Sequence, residues 1–520
     1  MHQSSAHPAY RSLEVGPPAL WVSRFGIPAG GVLLDSGLDD RAEYAHFDAL
    51  ALSPREVICH ESLGFLHDPE DPSLHISHTI CLDRESQLTG AHQRDLYREL
   101  ETWANRPWRD QDHNSIGAEA WGELSKELEL PLPMTMCALS YELGAERGGV
   151  ASAQMAHPSP RLWAARYPAV YLWCRRRHRG FIVGESDTAV EALSRMLMAP
   201  LQEQRSSGEH PMARASHNPW LTQGRALTQS RLRPHMGWPT YRAAIQSVHE
   251  HLLSGDIYQL NLTLGMTSKL ADEVTIEEVF TRLREANSGQ FGALFRFDET
   301  RAAISLSPER LVTWGAPHPS GTGQLIETAP IKGTRPKYAD PDQDLAERDA
   351  LLKSEKDQAE HLMILDLERN DLGRICETGT VEVVTQRELR SYTTVHHLVS
   401  VVRGRLRPET KLTDILEAVF PGGSVTGAPK LSAMHKIHHL EVGPRGIYCG
   451  ALGYLDPLGG GDLNIPIRTA MIHGEHLTYH AGGGVVADST ARDEWDELWV
   501  KTRGVQRGLG IPPERSEEVK

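Results

Sequence analysis

Glu327-Thr328-Ala329-Pro330-Ile331-Lys332-Gly333-Thr334-Arg335-Pro336 is the stretch on which the reading of this chain turns. It sets a lysine between a proline-stiffened approach and a glycine exit. Pro330 fixes its own φ and biases Ala329 toward extended conformations, while Gly333 reaches φ values that other residues resist. Lys332 is therefore predicted on a short constrained segment. Two nearby cations, Arg335 and Lys337, predict an amine that releases its proton readily enough to serve as nucleophile or base. The same residues also read as a solvated lysine in a surface turn.

Four further segments bear on that choice. In Asp357 to Arg374 a dense apolar run is bracketed by carboxylates. It reads either as a buried helix with charged ends or as the place where Glu360 lends an oxygen to a hard cation such as Mg²⁺. Phe420 to Lys430 is a glycine loop that feeds a helix through Pro429, either an anion cradle or a plain tight turn. Ala481-Gly482-Gly483-Gly484-Val485 follows a strand-like run and offers closely approaching amides, or else a β-bulge. The last segment is predicted to be a helix burying Trp495, Leu498, Trp499, Thr502 and Val505. There Glu497 and Lys501 lie four apart, as a surface ion pair or as a metal carboxylate beside a substrate-holding cation. A lysine, a metal flanked by carboxylates and two amide cradles together call for a small dianionic substrate.

Composition sets the outer bounds. The 520 residues are 40% hydrophobic and 24% charged, with a formal net charge of −15 and no polybasic run. Nucleic acid and anionic membrane are poor partners for such a chain. No apolar stretch approaches the ~20 residues a bilayer crossing needs, and Met1 to Ser5 lacks the basic and apolar regions of a signal peptide. Six scattered cysteines predict reduced thiols and a cytoplasmic protein. Zinc is rejected, because His249-Glu250-His251 and His60-Glu61 miss the His-Glu-x-x-His spacing and no Cys-x-x-Cys occurs. His435, His438 and His439 share a helical face and read as solvated.

Along the chain, residues 1–200 form a strand-rich N-terminal lobe, with strands at Gly31 to Gly37 and Val57 to Cys59. A hairpin joins Ala169–Trp173 to Gly180–Gly184 through a turn holding Arg175-Arg176-Arg177, read as solvated. Helices are predicted over Asp95 to Trp103 and Ala189 to Met198. Residues 201–238 read as an exposed linker, and 239–515 as the catalytic domain. In that domain a helix from Tyr241, a strand at Ile257 to Thr263, one helix over Asp342 to Leu367 and strands near Val381–Val384 and Leu398–Val402 are expected.

Taken in order, these motifs resemble the chorismate-utilising enzymes. Tyr448-Cys449-Gly450-Ala451-Leu452-Gly453-Tyr454 and Ile465-Pro466-Ile467-Arg468-Thr469 complete the set, and the likeness spans Trp238 to Gly508. In the N-terminal half, Leu33-Leu34-Asp35-Ser36-Gly37, Phe47-Asp48-Ala49 and Leu139 to Gly144 are similar to the amino-transferring members. The resemblance implies an α+β fold of two lobes, with antiparallel sheets and outer helices. Lys332 points to the aminodeoxychorismate synthase component I branch, since anthranilate and isochorismate synthases usually carry alanine there.

The resemblance further implies that Lys332 attacks C2 of chorismate as the C4 hydroxyl departs, after which ammonia adds at C4. It makes Glu360 and Glu497 the Mg²⁺ carboxylates. Tyr448, Arg468, Gly482, Gly483, Gly484 and Lys501 become substrate contacts, with Thr426 and Gly427 lining the same pocket. Glu309 and His397 are placed near the leaving hydroxyl, with His396 the competitor for the latter role, and Ser36 at a tryptophan position. No Gly-x-Cys-x-Gly elbow is present, which implies a separate glutamine amidotransferase subunit, and the short tail predicts no fused lyase. Anthranilate synthase component I and a catalytically silent chorismate-binding subunit are the rival readings.

Overall fold

The computed structural model describes residues 7–36, 47–60, 79–81, 93–109, 114–150, 159–206, 225–287, 289–317, 323–392 and 395–512. Two large sheets dominate them. The first runs Ala9–Ser12, Arg179–Gly184, Ala169–Cys174, Phe47–Ala51, Val32–Asp35, Phe291–Arg296, Arg301–Ser307, Thr469–His473, His476–Val485, Gln259–Lys269 and Arg233–Pro234, and Gly427–Ala428 also pairs with Gln259–Lys269. The second runs Ile331–Pro336, Val395–Arg405, Gln324–Ala329, Arg310–Pro317, Gly461–Asn464, Ala451–Leu455, Thr135–Leu139, Leu162–Arg166, Glu56–His60 and Thr79–Cys81, with Glu382–Ser391 also on Val395–Arg405. The pairings within these sheets are antiparallel except the last, Glu56–His60 with Thr79–Cys81. Antiparallel sheets with helices packed outside match the expected fold class.

The sheets do not follow the division drawn at residues 201–238. Leu33 pairs with Leu294 in the first sheet and Cys137 with Gly453 in the second, so each sheet takes strands from both sides of that segment. Nor is the whole segment an exposed linker. The helix Asp187–Ser206 runs into it, and Leu227, Leu232 and Met236 are buried. Their spacing within a polar stretch hid them from a periodicity reading, because the contacts that bury them are long-range.

Local signals set most helices. The helix Ile276–Ala286 begins at Thr275, whose hydroxyl accepts from the Glu278 N–H, a cap typically worth ~1 kcal/mol. The single helix expected over Asp342 to Leu367 is two, Pro341–Lys353 and Glu355–Gly373. Ser354 ends one and caps the other, with extended backbone and its hydroxyl accepting from the Asp357 N–H at 3.2 Å. The C-terminal helix Ala491–Leu509 buries Trp495, Leu498, Trp499, Thr502 and Val505 as its spacing predicts. Trp495 packs edge-on against Trp238 and Trp499.

The triple arginine is not a solvated turn throughout. Arg175 is buried, and its Nε donates to Asp48 Oδ1 and Oδ2 at 3.0 and 3.1 Å. Arg284 grips Asp35 in turn, Nη2 donating to Oδ1 at 3.0 Å. Two buried aspartates required two cations, and the hairpin supplied one. No helix among the described residues is long and apolar enough to cross a membrane.

Candidate active site

Lys332 lies on the strand Ile331–Pro336, opposite Leu398. The next pair in register is Thr334 with His397, so the ladder shifts at Gly333, where φ is +82°. A non-glycine residue there would be strained, and its Cβ would also meet Leu351 Cδ1 at 2.8 Å. This kink sets the half-buried lysine facing the Gly423–Val425 turn, and Nζ lies 3.5 Å from the Ser424 carbonyl. The cation crowding expected from Arg335 is not what surrounds it, because Arg335 is paired to Asp357 at 2.8 Å. Its electrostatic company is instead Glu309, Glu360 and Glu497.

The three glycines Gly482, Gly483 and Gly484 form neither a bulge nor a nest. They continue the regular strand His476–Val485, opposite Thr263, Leu262 and Asn261. The neighbouring strand Thr469–His473 pairs only as far as Tyr479, which leaves one edge of the glycine run without a strand partner among the described residues. Close neighbours crowd the space a side chain would need. A Cβ on Gly483 would stand 2.7 Å from Glu494 Oε2, and one on Gly484 would stand 2.3 Å from Gln259 Nε2 and 3.5 Å from Lys332 Nζ. Lys501 ties the run to the C-terminal helix, donating to the Gly482 carbonyl at 2.7 Å and pairing with Glu497 at 2.8 Å.

The carboxylates divide by surroundings. Burial raises the pKa of Glu309, with the Ser424 hydroxyl, Lys332 and Arg468 pulling the other way. Burial likewise raises Glu360, opposed by Lys332 and Lys356. Glu494, held by the Ser489 hydroxyl at 2.7 Å, is raised by burial and by the charge of Glu497. Glu497 itself is exposed, and Lys501 lowers it. Among the described residues no trio of His, Cys, Asp or Glu is placed to hold a metal alone.

The two adjacent histidines keep different company, since successive side chains on a strand take opposite faces. His396 is spent on Asp344 and Ser391, both at 2.8 Å. His397 pairs through Nδ1 with the Thr334 hydroxyl at 2.9 Å, while its buried Nε2 has no partner among the described residues. Burial and the Arg468 charge push its pKa down to about 3, so it is neutral near pH 7.

Arg468 is a non-glycine residue in the left-handed region, φ +52°, a strained choice that clusters at functional positions. Its guanidinium feels Tyr479 and Glu309, and its planar fork suits an incoming carboxylate. Tyr448 is buried and stacked on the His480 ring at 5.3 Å. The Thr426 hydroxyl is consumed locally, donating to the Gly422 carbonyl at 2.9 Å, and Gly427 pairs with Leu260. Arg445, only 2% exposed, holds this loop: Nη1 donates to the Val425 carbonyl and Nη2 to the Asn261 carbonyl, both at 2.7 Å. Glu441 receives the rest of the guanidinium, and Glu142 accepts the Arg445 backbone N–H at 2.7 Å.

The structure thus groups Lys332 with Glu309, Glu360, Glu497, Lys501 and the glycine strand, and places Arg468 beside Glu309 and His397. Ser36 stands apart. Its N–H donates to Asp48 and its hydroxyl to the Phe47 carbonyl, at 2.8 and 2.7 Å, and Gly37 lies outside the described residues. Two residues were missed by the sequence reading. Gln259 is fully buried with both amide atoms unpartnered among the described residues, and a polar residue on the core face of a strand was the signal. Glu494, one turn before Glu497, was passed over because that helix was read for its apolar face and for the Glu497 and Lys501 spacing alone.

Comparison with known proteins is consistent with this geometry. Residues 65–507 match the family model described as chorismate binding enzyme. The aminodeoxychorismate synthase component 1 of Klebsiella aerogenes is 41% identical over 281 residues, 53% of this chain and 59% of that protein. That of Salmonella typhimurium is 39% identical over 296 residues, 56% of this chain and 63% of that protein. The match therefore spans less than two thirds of these relatives' length. The crystal structure of anthranilate synthase component I from Streptococcus pneumoniae superposes with a TM-score of 0.64 at 27% identity, covering 89% of this chain and 93% of that one. Menaquinone-specific isochorismate synthase MenF from Escherichia coli shares the fold, TM-score 0.62 at 15% identity over 97% of this chain and 95% of that one. On the extent of the family match, the chain belongs to the chorismate-binding enzymes.

Proposed function

We propose that this protein is an aminodeoxychorismate synthase component I, which turns chorismate and ammonia into 4-amino-4-deoxychorismate on the way to p-aminobenzoate and folate. The observation that carries the reading is Lys332 Nζ, half-buried beside the Gly484 backbone and among three carboxylates. A nucleophilic amine divides one difficult displacement into two assisted ones. The neutral amine attacks C2 and its electron pair displaces the C4 hydroxyl through the ring, which leaves as water on protonation. Glu309, whose carboxyl burial keeps protonated more readily, is the acid for that step, with His397 placed to orient the hydroxyl. Ammonia then adds at C4, the ring electrons return, and the C2–N bond breaks to free Lys332. The pyruvyl ether is retained.

Arg468 and Lys501 suit the two substrate carboxylates, with Tyr448 and the Thr426–Gly427 and Gly482–Gly484 backbones as walls. The donor set fits a hard cation that takes one or two carboxylates and completes its shell with substrate oxygens. Glu360 and Glu497 would hold Mg²⁺, whose contribution is to offset the charge of the ring carboxylate. Ammonia is assigned to a glutamine amidotransferase subunit, tryptophan to the neighbourhood of Ser36, and the protein, with buried thiols at Cys137, Cys174, Cys376 and Cys449, to the cytoplasm.

A second reading, anthranilate synthase component I, draws on the Streptococcus pneumoniae likeness. Chromatography of products from chorismate and ammonium separates the two. We expect 4-amino-4-deoxychorismate, and anthranilate fluorescence without added lyase would overturn the assignment. Lys332→Ala should abolish C4 amination while chorismate binding persists, and intact-mass trapping of a lysine adduct should succeed only with Lys332 present.

A further inference from the structure

Lys332 and Glu360 belong to different elements, the strand Ile331–Pro336 and the helix Glu355–Gly373, and one buried side chain joins the two. His361, next to Glu360 on the helix, is 1% exposed. Its Nε2 lies 2.6 Å from the Ser400 hydroxyl and its Nδ1 3.5 Å from the Lys332 carbonyl. Ser400, fully buried in the middle of the strand Val395–Arg405, also accepts the Arg387 N–H at 2.9 Å and sends its own N–H to the Pro330 carbonyl at 3.2 Å. The ladders on both sides of that strand are broken nearby. One register shift falls between Lys332 and Thr334, the other between Thr385 and Glu388, where Arg387 takes φ +50°. A bulge re-aims the side chains beside it, and its displaced backbone groups need partners. Gln358, one turn before His361, accepts from the Arg387 guanidinium at 2.7 Å, so the same helix grips the second bulge as well.

Counting donors and acceptors orders these bonds. A carbonyl only accepts, so Nδ1 carries the ring proton toward Lys332. Nε2 is then bare and accepts the Ser400 hydroxyl hydrogen, while the Ser400 oxygen keeps a lone pair for the Arg387 N–H. We propose that His361 and Ser400 are positioning residues, a relay that fixes the Lys332 backbone against the helix bearing Glu360. Neither touches substrate. Their work is to hold the spacing between amine and carboxylate before chorismate arrives. A nucleophile ordered in advance reacts faster, and a displacement of ~1 Å can cost about a hundredfold in rate.

The catalytic part of this inference rests on the proposed amination, but the relay can be sought in the resting protein. Nitrogen NMR of the full chain with labelled histidine should show His361 with its proton on Nδ1 and a bare Nε2, the signal being identified by its loss in His361→Gln. Should that variant not fold, Ser400→Ala identifies the same ring through the shift of its Nε2. A proton on Nε2 instead would overturn the relay. With chorismate and ammonium, His361→Gln keeps a partner for Ser400 but drops the Lys332 bond, and should lower kcat about ten- to a hundredfold with KM little changed. His361→Asn, whose amide nitrogen stands near the place of Nδ1, should recover most of that loss. A role in stability alone would lower the urea midpoint of both variants and leave kcat of the folded protein untouched. That result, or equal losses of kcat in the two variants, would overturn the positioning role. If no form aminates chorismate, the functional reading fails while the nitrogen spectrum still decides the relay.

Discussion

Replacing Arg445 by Met is the sharpest test of how the substrate loop is held. Met keeps most of the stem's bulk and removes only the guanidinium. In the folded chain that group pairs with Glu441, whose side chain is 6% exposed, and donates to the Val425 and Asn261 carbonyls at 2.7 Å. It also lies 4.4 Å from the centre of the Tyr141 ring. Deleting one partner of a buried pair costs roughly 3–5 kcal/mol, because the other charge is left stranded. Each orphaned carbonyl adds a desolvation cost of about 1–3 kcal/mol when considered singly. These losses overlap, since Glu441 can take up a proton and the loop can relax, so we expect about 3–5 kcal/mol in all. Urea unfolding followed by circular dichroism measures it, read as a drop in midpoint at constant slope. Adding Glu441→Gln should restore part of the loss by removing the stranded charge. A cost below ~1 kcal/mol in the single variant, within the range of an ordinary surface change, would refute the reasoning.

Other expectations follow from individual sites. Ser354→Ala should destabilise the chain by ~1 kcal/mol, seen as a lower urea midpoint, because the Asp357 N–H loses its acceptor. Gly484→Ala should cut chorismate turnover sharply and cost about 1–3 kcal/mol from overpacking, since its Cβ would lie 2.3 Å from the buried Gln259 amide. His397 sets an acid limit on stability. Its folded pKa of about 3 lies below the unfolded value of 6.5, so the unfolded chain takes up a proton that the folded chain refuses. The stability is present above pH 6.5 and is lost on acidification toward 3, at up to about 1.4 kcal/mol per pH unit. Unfolding free energies of wild type and His397→Gln between pH 7 and 5 should diverge accordingly, with the shallower slope in the variant.

The elements whose signals are local could be read from the sequence. The hairpin Ala169–Cys174 with Arg179–Gly184 and the apolar stripe from Trp495 to Val505 emerged where alternation and helical spacing put them. The constrained segment around Lys332 was legible too, since Pro330 fixes its own φ and Gly333 reaches the left-handed region. What escaped depended on distant partners. Nothing near Arg175 announces Asp48, 127 residues earlier, and nothing near Gln259 announces that Gly484 will lie against it. The break at Ser354 had a local sign, a serine three residues ahead of an acid, but the helical pattern continuing across it outweighed that sign. The glycine run misled in another way, for its composition suggested an irregular backbone where close side-chain approach was the cause.

The weave of the two sheets carries a consequence for inheritance. A gene split between the codons for residues 206 and 225 would yield two products, each with raw hydrogen-bonding edges that only the other can cover, as Leu33 with Leu294 and Cys137 with Gly453 illustrate. Neither product would be a transferable module, and co-production would be needed for either to stay in solution. Recombination that swaps one half between distant relatives must match strand edges along both seams at once.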